Sequence, residues 1–170
     1  MGSYLIVDGY NIINSWTNLK SLANEDMEEA RGKLIEILAS YKAYKGIEII
    51  LVFDAQLVKG NLGNEEIING IRVVFTREHQ TADSFIEKEV YNLSRLNLVQ
   101  VATSDWAEQQ TILSSGGIRI SARELEAEVM FARRKMKNKY IDNKRTLQEL
   151  YHQVEPRILK KLEQLRKNKD

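Results

Sequence analysis

The segment "YLIVDGYN", residues 4–11, passes from a short apolar run into Asp8, then a glycine, a tyrosine and Asn11. An apolar run of this length predicts a buried strand, and the Asp-Gly pair after it predicts a turn. The arrangement recurs, because two later apolar runs lead to Asp54 and Asp105. These three segments predict a sheet whose strands each deliver an acid at one end.

Segments with helical spacing separate the apolar runs. A helix is predicted over 24–46, with Asn24 as its N-cap and Gly46 at its C-terminal end. Residues 55–70 are rich in glycine and asparagine and predict a loop. Further elements are predicted along the chain: strands at 71–76, 98–103 and 118–120, and helices at 83–96 and 106–113. Strands that alternate with helices predict a three-layer α/β/α sandwich with a mainly parallel sheet.

The C-terminal part of the chain is predicted to be helical. Ser121 and Glu124 form a capping box for a helix that runs to about 140, and Thr146 opens another helix in the same way. Pro156, the only proline, predicts a kink or a break in this last helix.

The charge of the chain is divided unevenly. The net charge is +1, but residues 133–170 hold thirteen Lys and Arg against five Asp and Glu, a balance of +8. The first 132 residues therefore carry −7. An acidic part is suited to cation binding and basic helices to a polyanion, although a solvated helix surface also explains the basic charge. The expected domains are an α/β body over 1–135 and a basic helical extension over 136–170.

Composition excludes several classes of protein. With 170 residues, 43% hydrophobic and 29% charged, the chain is long enough for one globular domain with a core. The absence of cysteine excludes disulfides, a thiol nucleophile and cysteine-ligated metals. No apolar run reaches the ~20 residues of a membrane helix, and the first residues show no leader pattern. A cytoplasmic monomer with no membrane partner is expected.

Four acids are predicted to meet at one edge of the sheet: Asp8, Asp54, Asp83 and Asp105. In an open parallel sheet, sites form beyond the carboxyl ends of the strands, where these acids are expected. Clustered carboxylates repel one another unless they bind a cation or hold protons, and oxygen-only ligands indicate Mg²⁺ or Mn²⁺. Taken singly, Asp83 and Asp105 are better explained as helix N-caps, and Asp54 as part of a strand-end turn.

Five segments carry a resemblance to a known family: VDGYN (7–11), VFDA (52–55), TADSFIE (81–87), VATSDWAEQ (101–109) and SARELEAEV (121–129). In order and spacing they resemble the NYN domain of the PIN-like nuclease superfamily. Within it they are most similar to the YacP family of bacterial ribosome-associated endoribonucleases. The resemblance covers roughly residues 3–130.

The resemblance implies a metal-dependent endoribonuclease with the ribosome as its partner, which cuts mRNA during translation. Asp8 and Asp83 match the principal catalytic acids, and Asp105 matches a further site acid. Asn11 matches the asparagine that helps to order the site, and Asp54 matches the acid that closes the second strand. Asp8, Asp83 and Asp105 are therefore expected to hold Mg²⁺ or Mn²⁺. The helix after Asp83 reads SFIEKE, which is less basic than expected for a groove that meets RNA.

Basic residues are expected to bind the nucleic acid and the ribosome. They are Lys59, in a loop that contains two glycines, and seven residues near the C-terminus: Arg133, Arg134, Lys135, Lys137, Lys139, Lys144 and Arg145.

Two other functions stay open. In a non-catalytic RNA- or ribosome-binding module, the basic helices would make the phosphate contacts and the acids would be helix caps. A phosphoacceptor signalling domain also places acids at strand ends. It needs adjacent acids after its first strand, whereas Asp8 is followed by Gly9, so this class is disfavoured.

Overall fold

Six strands form one sheet in the computed structural model, which describes residues 1–56, 59–153 and 156–167. The strands are β1 (Ser3–Asp8), β2 (Glu48–Phe53), β3 (Asn64–Ile68), β4 (Ile71–Phe75), β5 (Leu98–Ala102) and β6 (Ile118–Ile120). Their order across the sheet is β3-β4-β2-β1-β5-β6, and all neighbouring pairs are parallel except β3 with β4. The mainly parallel sheet predicted from the sequence is confirmed.

Seven helices lie within the described residues: α1 (Gly9–Ser15), α2 (Thr17–Glu25), α3 (Met27–Lys45), α4 (Ala82–Leu93), α5 (Trp106–Ser114), α6 (Ala122–Gln153) and α7 (Pro156–Lys167). Asp26 caps α3, because its Oδ1 accepts hydrogen bonds from the N–H groups of Glu28 and Glu29. The predicted N-cap, Asn24, is wrong and lies in α2. The predicted end of α3 at Gly46 is confirmed, with a left-handed φ of 68°.

Helices cover both faces of the sheet, because the strand side chains alternate between two apolar clusters. Leu5 and Val7 of β1 pack in one cluster with α1, α2, α3 and the first turns of α6. Ile6 between them points to the other cluster, with Ile86 and Val90 of α4. This is the predicted three-layer α/β/α sandwich.

The strand order reverses at β1. After β1 the chain adds β2 and β4 on one side of it, and then returns to add β5 and β6 on the other. Such a reversal leaves a crevice between the carboxyl ends of two neighbouring strands, here β1 and β5, and ligands of open α/β sheets bind there. Asp8 is the last residue of β1, and Asp105 follows shortly after β5.

The prediction of a loop over 55–70 is wrong in its second half. Residues Asn64–Ile68 form β3, an edge strand paired antiparallel with β4 through a turn at Asn69 and Gly70. These two residues have positive φ, 51° and 79°, which is the conformation that Asn-Gly favours in tight hairpins. The β3 sequence, NEEII, is a weak strand signal because it carries two charges and stays mostly exposed.

The prediction of two separate helices over 121–140 and from 146 onward is also wrong. α6 is continuous to Gln153, and Thr146, the expected cap, donates its hydroxyl to the carbonyl of Asp142 inside the helix. A separate α7 begins at Pro156, which occupies the first helical position, where a missing N–H costs little.

The start of α6 is fixed by side chains. The predicted capping box is confirmed, because Ser121 Oγ accepts from Glu124 N and Glu124 Oε2 accepts from Ser121 N. The indole N–H of buried Trp16 donates to the carbonyl of Ala122 at 2.8 Å. The Trp16 bond attaches the first turn of α6 to the chain segment between α1 and α2.

The chain divides into two compact units, residues 1–132 and 133–170. The first holds the sheet, α1 to α5 and the first turns of α6; the second holds the rest of α6 and α7. The functional boundary predicted between 135 and 136 stays a prediction. Within the described ranges, no helix combines the length and the apolar character that crossing a membrane requires.

Candidate active site

Asp8 stands where β1 ends and α1 begins. Its carboxylate is the N-cap of α1, because Oδ1 accepts a hydrogen bond from Asn11 N at 3.3 Å. Burial raises the pKa of Asp8 from 3.8 to about 6, although the Asn11 N–H opposes this rise. The negative charges of three other acids raise the pKa further: Asp83, Asp54 and Asp105. The four predicted acids are therefore within electrostatic reach of one another.

Asp83 lies in the first turn of α4, where its side chain is exposed. The N-cap of this helix is Thr81, whose Oγ1 accepts from Ser84 N at 3.1 Å, so the alternative that Asp83 is the cap is wrong. Burial raises the pKa of Asp83, and repulsion by Asp105 and Asp54 adds to the rise. Asp83 is thus an accessible carboxylate, and within the described ranges it forms no salt bridge.

Asp54 holds two loops in place. Its Oδ1 accepts from Gln56 N at 3.1 Å. This bond forms the strand-end turn that the sequence offered as an alternative role for Asp54. Its Oδ2 accepts from Ala82 N at 3.2 Å, across 28 residues of chain. Because Ala82 precedes Asp83, this bond positions the first turn of α4 at the carboxyl edge of the sheet.

Asn11 connects the two sides of the crevice. Its Oδ1 accepts from the backbone N–H of Ser104 at 2.8 Å. Buried Thr103 fixes the same loop, because its Oγ1 accepts from Asp105 N at 3.1 Å and its carbonyl accepts from Gln109 Nε2 at 3.1 Å. The loop that carries Asp105 is therefore held by bonds from α1, from α5 and from Thr103, which directly follows β5.

The donor chemistry of this edge fits Mg²⁺ or Mn²⁺. Its four acids offer carboxylate oxygens, and burial, followed by repulsion among the acids, raises the pKa of Asp8 and of Asp83. In the part of the chain that the structure describes, no three acidic or histidine side chains form a ready-made metal-ligand group. Mg²⁺ is commonly held by one or two carboxylates and completes its octahedron with water and phosphate oxygens, so this arrangement suits such an ion.

A family model described as the YacP-like NYN domain matches residues 5–167. The chain belongs to this family. YacP of Bacillus subtilis (strain 168) is 44% identical over 136 residues, which cover 79% of each protein. The crystal structure of Rae1 (YacP) from Bacillus subtilis has a TM-score of 0.71 and 38% identity, and covers 97% of this chain and 95% of that one. A point mutant of the same protein gives a TM-score of 0.72, with 38% identity over 84% and 83% of the two chains.

Membership in the YacP-like NYN family confirms the resemblance and the PIN-like nuclease fold. It also corrects the extent of the resemblance, because the family match runs to residue 167 and not only to about 130. The second unit is therefore part of what the family shares.

The predicted nucleic-acid-binding residues are all exposed. Lys59 lies in the loop after β2. The other seven lie on α6 beyond Ala132, in the second unit: Arg133, Arg134, Lys135, Lys137, Lys139, Lys144 and Arg145. Their role in binding stays a prediction.

Gly9 has a different role from the predicted turn, because it is the first residue of α1. A Cβ built on Gly9 would lie 2.3 Å from the ring of buried Phe53, so only glycine fits at this position. The Tyr10 ring packs on Phe53, with centroids 5.0 Å apart, and its hydroxyl accepts from Arg31 Nη1 at 3.2 Å. Sequence reasoning did not indicate these contacts, since Arg31 is 21 residues away from Tyr10 and no local pattern connects them.

Proposed function

We propose that the protein is a Mg²⁺- or Mn²⁺-dependent endoribonuclease of the cytoplasm, which binds the ribosome and cleaves mRNA during translation. Membership in the YacP-like NYN family, with its PIN-like nuclease fold, supports RNA hydrolysis as the reaction class. The observation that carries the proposal is Asp8, a carboxylate at the strand-order reversal whose pKa is raised to about 6 by burial and by neighbouring acids. A bound cation would relieve this repulsion.

Each site residue has a defined task in this proposal. Asp8 and Asp83 would hold the divalent ion, and Asp105 would complete its surroundings directly or through water. The chemistry that such an ion would supply is neutralisation of charge on the phosphoryl oxygens and activation of the attacking water. Asn11 and Asp54 act as positioning residues, since their hydrogen bonds hold the loop of Asp105 and the start of α4. Attack by water gives products with 5′-phosphate and 3′-hydroxyl ends.

The basic surface of α6 supplies the proposed contact with the ribosome. Its seven Lys and Arg residues between 133 and 145 are exposed, and an extended cationic surface binds nucleic-acid phosphates by releasing their counterions. The protein is proposed to act as a monomer. Phosphate binding by α6 does not depend on the RNA sequence, so the site around Asp8 decides where the RNA is cut.

The deciding experiment compares the wild-type protein with Asp8→Asn on an mRNA, with and without translating ribosomes, in Mg²⁺ or in excess EDTA. Asp142→Asn, an exposed acid on α6, is the matched control. We expect cleavage by the wild-type and control proteins in Mg²⁺ only, and none by a folded Asp8→Asn protein. Cleavage that persists in EDTA, or in folded Asp8→Asn, contradicts the proposal.

The basic surface also supports a second candidate, a non-catalytic RNA- or ribosome-binding module. That candidate predicts that Asp8→Asn leaves every cellular and in vitro effect unchanged, while neutralisation of the basic residues of α6 abolishes them. The same set of proteins therefore separates the two functions.

A further inference from the structure

A surface pocket of about 650 Å³ lies beside the N-terminal end of α4. Its walls come from two loops, one between β2 and β3 and one between β4 and α4, together with Ser84 of α4. The volume falls in the range of small-ligand sites. The side chains relevant to a ligand are Leu62, Arg77, His79 and Gln80.

The pocket has a fixed frame, because the two loops are hydrogen-bonded to each other. Glu78 N donates to Asn61 O at 2.8 Å, and Asn61 Nδ2 donates to Thr76 O at 2.9 Å. Glu78 Oε2 accepts from Gly60 N at 2.9 Å. Glu78 and Asn61 are therefore engaged in holding the frame.

His79 is held in an uncommon backbone conformation. Its φ is 64°, in the left-handed region, and its N–H donates to the carbonyl of Gln56 at 3.2 Å. The side chain of His79 is nevertheless 89% exposed. Leu62, which also lines the pocket, is 92% exposed. A strained loop that presents an aromatic ring and an apolar side chain to solvent indicates a binding role.

Arg77 adds a positive charge to the pocket. Among the described residues, Arg77 makes no ion pair, whereas Arg72 on the neighbouring strand is paired with both Glu65 and Glu89. The exposed Arg77 guanidinium can therefore meet an anionic ligand without first breaking a salt bridge.

The pocket and the acid site share the first turn of α4. Ser84, which lines the pocket, directly follows Asp83. Asp54 accepts from Gln56 N, and Gln56 O accepts from His79 N, so one chain of hydrogen bonds joins the acids to the pocket loop. An RNA phosphate held near Asp83 would therefore lie close to a residue of the pocket wall.

We propose that the pocket binds one nucleotide of single-stranded RNA, next to the phosphate that lies at the acid site. The base stacks on the imidazole of His79 and contacts Leu62, and the adjoining phosphate pairs with Arg77. This proposal rests on the proposed function, because the pocket is taken as part of the same RNA path. It gives the enzyme a basic and aromatic contact beside α4, whose own sequence is poor in basic residues.

The test measures the affinity of a fluorescently labelled single-stranded RNA oligonucleotide for the full chain carrying Asp8→Asn, which leaves the RNA intact. Arg77→Gln and His79→Asn are compared in this background. Asparagine tolerates the positive φ at 79, so His79→Asn removes the ring while the loop keeps its conformation. Arg95→Gln, an exposed arginine beyond the opposite end of α4, is the matched control.

We expect His79→Asn to weaken binding roughly 5- to 50-fold with an unchanged salt dependence, as for loss of a stacked base. Arg77→Gln should weaken binding and reduce the slope of log K against log salt by about one, and Arg95→Gln should change neither. An oligonucleotide with a photoreactive uridine should crosslink to the 59–84 peptide.

Unchanged affinity in both pocket variants, crosslinks only elsewhere, or a parent protein that binds no RNA overturns the proposal. If the pocket variants weaken binding but the wild-type protein never cleaves, the nuclease function fails and the pocket stands.

Discussion

Asn11 Oδ1 accepts a hydrogen bond from Ser104 N at 2.8 Å, across the crevice between β1 and β5. Asn11 also donates its own N–H to Asp8. One residue therefore links the acid at the end of β1 to the loop that carries Asp105. The bond ties the start of α1 to the loop after β5, next to both acids.

Replacement of Asn11 by alanine tests this link. Asn11→Ala removes the acceptor for Ser104 N, and we expect RNA cleavage to fall about 10- to 100-fold, the usual cost of losing a residue that orients metal ligands. The free energy of unfolding should fall by only about 1–2 kcal/mol, because a single partly buried hydrogen bond is lost. Asn14→Ala, an exposed residue of the same helix, should change neither quantity. A cleavage loss no larger than that of Asn14→Ala would contradict a positioning role.

Asp8 is expected to destabilise the folded protein at neutral pH. The folded-state pKa of about 6 exceeds the ordinary 3.8, so the folded state binds this proton more tightly than the unfolded state. The free energy of unfolding therefore falls as pH rises from about 4 to about 6, and stays lower above that range. In the absence of metal at pH 7, Asp8→Asn should be more stable than wild type by roughly 1–3 kcal/mol.

Denaturant unfolding at pH 4 and at pH 7 measures this effect. The stability advantage of Asp8→Asn should be largest at pH 7 and should shrink towards pH 4, where the wild-type carboxyl is protonated. The asparagine keeps an Oδ1 acceptor for the Asn11 N–H, so the helix cap is preserved in the comparison. An advantage that is equal at the two pH values would show that the charge of Asp8 is not its source.

Divalent ions should offset the loss of folding stability that the clustered acids cause. Because Mg²⁺ binds only the folded state, wild-type stability should rise by about 1.4 kcal/mol at a Mg²⁺ concentration ten times Kd. Asp8→Asn and Asp83→Asn should show little of this rise, whereas Asp142→Asn should retain it. Thermal unfolding with and without MgCl₂ gives the measurement. An equal Mg²⁺ response in all four proteins would place the ion outside the acid site.

The acids of the site can be predicted from local sequence, whereas the long-range hydrogen bonds that position them cannot. Asp8, Asp54 and Asp105 are recognisable because each follows an apolar run, and the sheet topology brings such strand ends together. The bond from Ser104 to Asn11 joins residues 93 apart, and no local pattern encodes it. The pocket at Arg77 cannot be predicted from the sequence either, because its two loops meet only in the folded chain.

The errors of the fold prediction have physical causes of the same kind. β3 is an exposed edge strand, so it has no apolar alternation to reveal it, and only Asn69-Gly70 signals the hairpin. The Thr146 capping box looks correct by itself, but the threonine hydroxyl can also bond a carbonyl one turn back and allow α6 to continue. α1 and α2, for which no helix is predicted, are short and are stabilised by packing on the sheet.

Alanine replacements of Gly9 and Gly32 test two different effects on stability, a steric clash at Gly9 and backbone conformational entropy at Gly32. Gly9→Ala would place a Cβ 2.3 Å from the Phe53 ring, and the shift this forces should cost about 1–3 kcal/mol of unfolding free energy. It should also reduce cleavage, because Gly9 directly follows Asp8. Gly32→Ala lies within α3 and meets nothing within 4 Å. This control should stabilise the protein by about 0.5–1 kcal/mol with unchanged activity. A Gly9→Ala protein as stable as wild type would mean that Phe53 can move away at no cost.

Neutralisation of the basic surface of α6 should weaken ribosome binding without impairing the acid site. Four exposed cations are suited to replacement by glutamine: Arg133, Arg134, Lys137 and Lys139. If each contacts one phosphate, the salt dependence of ribosome binding should lose about 0.7–0.9 per residue in the slope of log K against log salt. The control replaces exposed cations of the first unit, Lys20 and Lys88.

Co-sedimentation with ribosomes over a range of salt concentrations measures the slope. Binding as tight and as salt-dependent as wild type would move the ribosome contact away from α6, while retained Mg²⁺ stabilisation would show that the acid site is intact.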